Sequence, residues 1–220
     1  TLIPLAALLL SKPASSVTGA TPPSSLLDGA RLTVALPTTW LLGGMFLLYA
    51  ASFMSVFGFL PTMLIEESGL ALGTASVMTA IAVLANVPGN IAGGYLLRHG
   101  ARRWALIVIA FFLLSLSAFV VFASELPLTI RYTAALLYAA TGGLLPASIM
   151  SALPAYAARQ DLVITISGFV MQGTNLGQFL GPLLLAAVVS AKGWAAAPYY
   201  VAATALFGIL LALKFRRREI

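Results

Sequence analysis

The sequence predicts an all-α integral membrane protein of six spanning helices, on three grounds. Hydrophobic residues make up 60% of the 220 and charged residues only 8%, with a mean hydropathy of +1.01, a surface that no water-soluble domain of this length tolerates. Six apolar runs each reach the roughly 20 residues needed to cross about 30 Å of hydrocarbon. Lys and Arg gather in alternate connections, as expected of a bundle that crosses a membrane repeatedly.

The chain opens on Thr1–Leu10, an apolar run too short to cross, with no Met at its start and without the basic residues that begin a signal peptide. Residues 1–10 therefore read as the end of a truncated transmembrane helix that begins outside this chain. Residues 11–37 are rich in Ser, Thr, Pro and Gly, including Pro13, Gly19, Pro22, Pro23 and Gly29. Such a composition cannot bury a core and predicts a flexible linker. The six-helix bundle follows over residues 38–220, with spans at about 38–65, 71–97, 104–123, 129–157, 162–190 and 195–214.

Orientation follows from the basic residues. One side receives Lys12, Arg31, Arg98, Arg102, Arg103, Arg159, Lys214, Arg216, Arg217 and Arg218; the other receives Arg131 and Lys192 together with Glu66, Glu67 and Glu125. This asymmetry puts the linker and the C-terminus in the cytoplasm. Arg131 opens the fourth span, where an arginine commonly snorkels to headgroups or draws an anion into an outer vestibule.

The spans differ in kind. The third and sixth are uniformly apolar, which suits helices turned to lipid. In the fifth, Gln172, Asn175 and Gln178 recur at spacings of three and share one side, while Gly173, Gly177 and Gly181 recur every four on the opposite side. Amides at mid-depth in hydrocarbon are costly unless they meet partners or water, so this helix is expected to line a shared interior. The second span repeats the theme: Asn86 and Asn90 lie one turn apart, and Ala85, Gly89 and Gly93 form a small-residue seam. Tyr49, Ser52, Thr141 and Ser148 complete the polar candidates for a cavity wall. The competing reading of the amides is interhelical hydrogen bonding that holds the bundle together. Kinks are expected at Gly58 with Pro61, at Pro88, at Gly142 and Gly143 with Pro146, and at Pro182. Two triplets of spans, each with an amide-bearing, Gly/Pro-interrupted middle member, form an internal repeat. Three being odd, the second triplet runs inverted, the plan on which secondary transporters build central sites.

Several function classes lose their footing. Cysteine is absent and His99 is the single histidine, so the sequence predicts no thiol chemistry, no metal site and no cofactor. The net charge of +6 is dispersed between apolar runs, unlike a folded nucleic-acid-binding patch. An enzyme reading finds no buried carboxylate pair and no nucleophile beside a base. No Asp or Glu lies inside a span, so an embedded proton carrier, if the protein uses one, is expected in another part of the protein.

The run Gly93-Gly94-Tyr-Leu-Leu-Arg98-His-Gly100-Ala-Arg102-Arg103 resembles the glycine-basic-glycine-basic loop signature of the major facilitator superfamily. The run Asn175-Leu-Gly177-Gln-Phe-Leu-Gly181-Pro182, followed by Gly193-Trp194, is similar to the eleventh helix and following loop of many such permeases. The resemblance implies that the chain is the C-terminal half, spans seven to twelve, of a twelve-helix fold. Its partners would be the lipid bilayer, a small-molecule substrate, and a missing N-terminal half or a second copy. It further implies a permease of the bacterial inner membrane. Leu97 stands where the fuller signature has an acid, so that acid's proposed relay role does not carry over. Phe59-Leu-Pro61-Thr-Met-Leu and Asn86-Val-Pro88-Gly89-Asn90 look most like the cyanate and nitroimidazole branch, which implies a small polar or anionic solute. The alternatives are a multidrug efflux permease of the same superfamily and a six-helix remnant that does not transport.

Overall fold

The computed structural model describes residues 26–218 and is helical throughout, apart from turns. A short helix, α1 (Leu26–Ala35), leads into α2 (Pro37–Ser68), the first span. The second span is α3 (Leu72–Leu84) followed by α4 (Asn86–Arg98), and the third is α5 (Arg103–Val121). The fourth is α6 (Leu128–Gly142) followed by α7 (Leu144–Tyr156). After a 3₁₀ turn at Gln160–Leu162 comes the fifth, α8 (Val163–Lys192), and after a second at Trp194–Ala196 the sixth, α9 (Ala197–Arg216). All six are long and apolar enough to cross a membrane.

Proline and glycine mark the boundaries for identifiable reasons. Pro37 opens α2, where its missing N–H is one the helix leaves unpaired in any case. Gly69, at φ 64°, closes it in the left-handed region, letting its own N–H reach the Ile65 carbonyl at 3.0 Å. Within spans two and four, Pro88 and Pro146 offer no N–H to the carbonyls of Leu84 and Gly142, and the ring crowds those carbonyls. The helix is interrupted at Ala85 and at Gly143, although both keep right-handed helical dihedrals. Each span is thus one rod with a loosened turn near its middle.

Packing runs chiefly between the two triplets. Span one lies against spans five and six, span four against spans two and three, and spans three and six against each other. The two three-helix repeats are therefore interleaved, and neither has a core of its own. Span one is the axis: 67% of its most apolar stretch is buried, against 22% in spans two and five. Spans two and five are the ones the bundle leaves most open.

The linker expectation needs correction in its last third. Residues 26–35 form a helix whose Gly29 faces Leu162 and whose Thr33 hydroxyl donates to the Gly29 carbonyl at 2.9 Å. The Trp40 indole N–H donates back to the Val34 carbonyl at 2.8 Å. The apolar residues of this segment recur at helical spacing, which an average over 11–37 conceals. The expectations for residues 1–10 and 11–25 fall outside the described residues.

Candidate functional site

The polar residues picked from the sequence separate into three environments. On span five, Gly173, Gly177 and Gly181 form the seam that meets span one: a Cβ on them would stand 2.5 Å from the Gly43 carbonyl oxygen, 2.2 Å from that of Leu47 and 2.3 Å from that of Ala51. Only glycine permits that approach of two backbones. Gln172, Asn175 and Gln178 are turned away from the seam and exposed. Gln172 also stands on the wall of an open groove of about 270 Å³ between spans one and five, with Trp40, Leu47, Phe169 and Leu176. Trp40 and Phe169 meet there edge to face at 4.9 Å. The sequence reading missed both rings, because an aromatic residue near a span end reads first as an interfacial anchor.

The second environment is the crossing of spans two and four. The Asn86 amide donates to the Tyr49 hydroxyl at 3.1 Å and to the Ala139 carbonyl at 3.0 Å, and Asn90 donates to the Asn86 side-chain oxygen at 2.7 Å. Three spans are joined by one half-buried amide. Gly89 lies against Ala140, Gly93 against Ala147 and Leu144, and Gly143 against the Asn86–Asn90 backbone, so the two loosened turns abut. Thr141, half-buried nearby, returns its hydroxyl to the Leu137 carbonyl at 2.8 Å. Asn86 and Tyr49 thus connect helices here, and Asn90 braces the Asn86 side chain from within its own helix. Replacing Asn86 by alanine is expected to cost about 1–2 kcal/mol, read as a lower unfolding midpoint in detergent, with Asn90→Ala costing less because it bonds only within its own helix.

The third environment is closed. Ser52 is 1% exposed and hydrogen-bonded to Thr204 of span six at 2.5 Å, and the Ser148 hydroxyl is fully buried with no hydrogen-bond partner among the described residues. The expectation that these two serines line a cavity does not hold for the bundle as folded. Ser52 lies on the side of span one that packs on span six, and Ser148 faces inward among the spans.

At the basic edge, Arg98 and Arg102 are exposed, Gly94 has no neighbour among the described residues that a Cβ would touch, and Gly100 turns the chain at φ 89°. Arg103 reaches the Ser151 hydroxyl at 3.3 Å, tying the loop between spans two and three to the end of span four. At the opposite edge Arg131 does not snorkel: it is buried, with Glu67 and the Val121 carbonyl as partners. Glu67 is accordingly no freely solvated helix end. Among the described residues no group of His, Asp or Glu could hold a metal ion.

A family model described as Major Facilitator Superfamily matches residues 41–220. Among curated proteins no sequence relative matches. Two solved structures of a glutamate-to-glutamine mutant of the peptide transporter POT share the fold at 16% identity. The one in complex with sulfate superposes with a TM-score of 0.72, over 87% of this chain and 42% of that one. The one in complex with alafosfalin gives 0.73 over the same shares. The chain therefore spans less than half the length of the structures it matches.

Proposed function

The chain belongs to the major facilitator superfamily, and from that membership we propose that it is the C-terminal half of a secondary transporter that moves a small polar or anionic solute by alternating access. Its fold is of the transporter type, and the chain is an integral membrane protein. One observation carries the proposal: the exposed amide face of Gln172, Asn175 and Gln178, on a span that glycines lock to the axis of the bundle. A polar stripe on a spanning helix calls for water, solute or a protein wall in front of it. The partner half, absent from this chain, would supply the other wall by covering the open sides of spans two and five. The charge asymmetry supports a cytoplasmic basic edge and C-terminus, in the bacterial inner membrane.

Amides without a fixed charge suit a small solute recognised by hydrogen bonds, of which a cyanate-like anion is the narrowest version. A second reading, efflux of amphipathic compounds, is favoured by the apolar groove at Trp40 and Phe169. The test uses the whole protein, with the half that precedes these residues. Thermal-shift titrations with cyanate, nitro-aromatics and amphipathic cations, followed by uptake into proteoliposomes, assign the class. Asn175→Ala is expected to weaken the active ligand about tenfold, the worth of one hydrogen bond of about 1.4 kcal/mol, with the unfolding midpoint of the free protein unchanged. Unchanged affinity in Asn175→Ala and Gln178→Ala would remove the amide face from the pathway. No response to any ligand class, and no uptake, would leave a helical remnant that does not transport.

A further inference from the structure

We infer that the outer face of spans three and six carries a binding site for an anionic phospholipid. Span three begins with Arg102, Arg103 and Trp104 and span six ends with Lys214, Arg216, Arg217 and Arg218. The two helices pack antiparallel, so these ends meet at one edge of the bundle, where the Arg216 guanidinium lies 4.6 Å over the Trp104 ring. Arg102, Lys214, Arg216, Arg217 and Arg218 are all exposed, while Phe215 between them is buried against Tyr156 and holds the chain end in place. Of the acids on this side of the bundle, Asp28 lies on α1 and has an interaction of its own, Asp161 is held by Arg159 at 2.9 Å, and Glu219 lies outside the described residues.

The surface beneath the basic rim gives the ligand its second half. Ile109, Phe112, Leu116 and Phe119 of span three and Leu206, Phe207, Leu210 and Leu213 of span six are exposed large apolar side chains, from 40% to 59%. A cationic rim set on a continuous apolar wall at the membrane edge matches a phosphate headgroup above acyl chains. A free phosphate would meet only the rim. Trp104 supports the arrangement, since a guanidinium stacked on an indole is held at the headgroup level with its N–H groups free to point outward.

The full protein in phosphatidylcholine nanodiscs, titrated with phosphatidylglycerol and read by native mass spectrometry and by unfolding temperature, tests this. Phosphatidylglycerol is expected to be retained about tenfold more strongly than phosphatidylcholine and to raise the unfolding temperature. Arg102→Gln with Arg216→Gln and Arg217→Gln is expected to abolish that tenfold preference, while Arg159→Gln, on the same edge but already paired, keeps it. Trp104→Leu, which retains every charge, is expected to lower retention severalfold and shows whether the platform matters apart from membrane insertion. Equal retention of the two lipids, or an unchanged preference in the triple variant, overturns the site. Displacement of the lipid by millimolar inorganic phosphate overturns it too, since that result describes a free-anion site.

Discussion

Gly89→Ala is expected to be among the most damaging single-methyl changes in this chain, costing about 3 kcal/mol or more and lowering the folded fraction in detergent. A Cβ at this position would stand 1.8 Å from the Ala140 carbonyl oxygen and 2.8 Å from its carbon. The obstacle is backbone, so no rotamer change relieves it, and spans two and four must separate. Overpacking a well-packed site typically costs about 1–3 kcal/mol; the separation here would also strain the Asn86 bonds to Tyr49 and Ala139. Gly143→Ala meets the same crossing from the other side, at 2.3 Å from the Asn86 carbonyl oxygen, and is expected to follow closely. Gly58→Ala is the internal reference. None of the described residues would come within 4 Å of a Cβ there, so the ordinary helix preference for alanine over glycine is expected to stabilise by about 0.5–1 kcal/mol. Unfolding midpoints for the three variants check the order, and equal midpoints for Gly89→Ala and Gly58→Ala would mean that the two spans do not cross there.

The contrast between those glycines shows what a linear reading of this chain can reach. The six spans were legible because crossing hydrocarbon demands length and apolarity, and both are local properties. The seam at Gly173, Gly177 and Gly181 was legible because small residues every four positions fall on one helical side. Which glycines are crowded and which are open, as Gly89 and Gly58 are, depends on the neighbouring helix. Ser52 and Ser148 were beyond reach for a related reason. Span one is apolar all round, so no periodicity tells the side facing Thr204 from the side facing an opening. The amides of span five stood out because three of them agree in direction; a lone serine carries no such vote. The helix at Leu26–Ala35 was lost by averaging its apolar spacing with a proline-rich neighbour.

The pairing of Arg131 with Glu67 was invisible for a stronger reason, since its members belong to different spans, and it supports the second large expected effect. The Arg131 guanidinium lies 2.5 Å from a Glu67 carboxylate oxygen, and its Nε–H donates to the Val121 carbonyl at 2.9 Å. Three helix ends meet on this one side chain: the end of span one, the end of span three and the start of span four. Val121 closes its helix, so its carbonyl has no donor within that helix and gains one here. A cation at a helix start is unfavourable with respect to the helix dipole, so the residue owes its place to these partners. Side-chain exposure is 5% for Arg131 and 22% for Glu67, which puts the cost of breaking the pair at the lower end of the buried range. Arg131→Met is therefore expected to cost about 3 kcal/mol, and Glu67→Gln about 2–3 kcal/mol because it leaves a buried guanidinium without its anion. The double variant should be less damaging than the sum of the two, with a coupling of about 2 kcal/mol in a double-mutant cycle. Arg131→Lys distinguishes a staple from a headgroup anchor. An ammonium lacks the planar fork that serves a carbonyl and a carboxylate at once, so lysine should recover only part of the loss. Near-wild-type midpoints for Arg131→Lys and Glu67→Gln together would instead return Arg131 to the lipid surface.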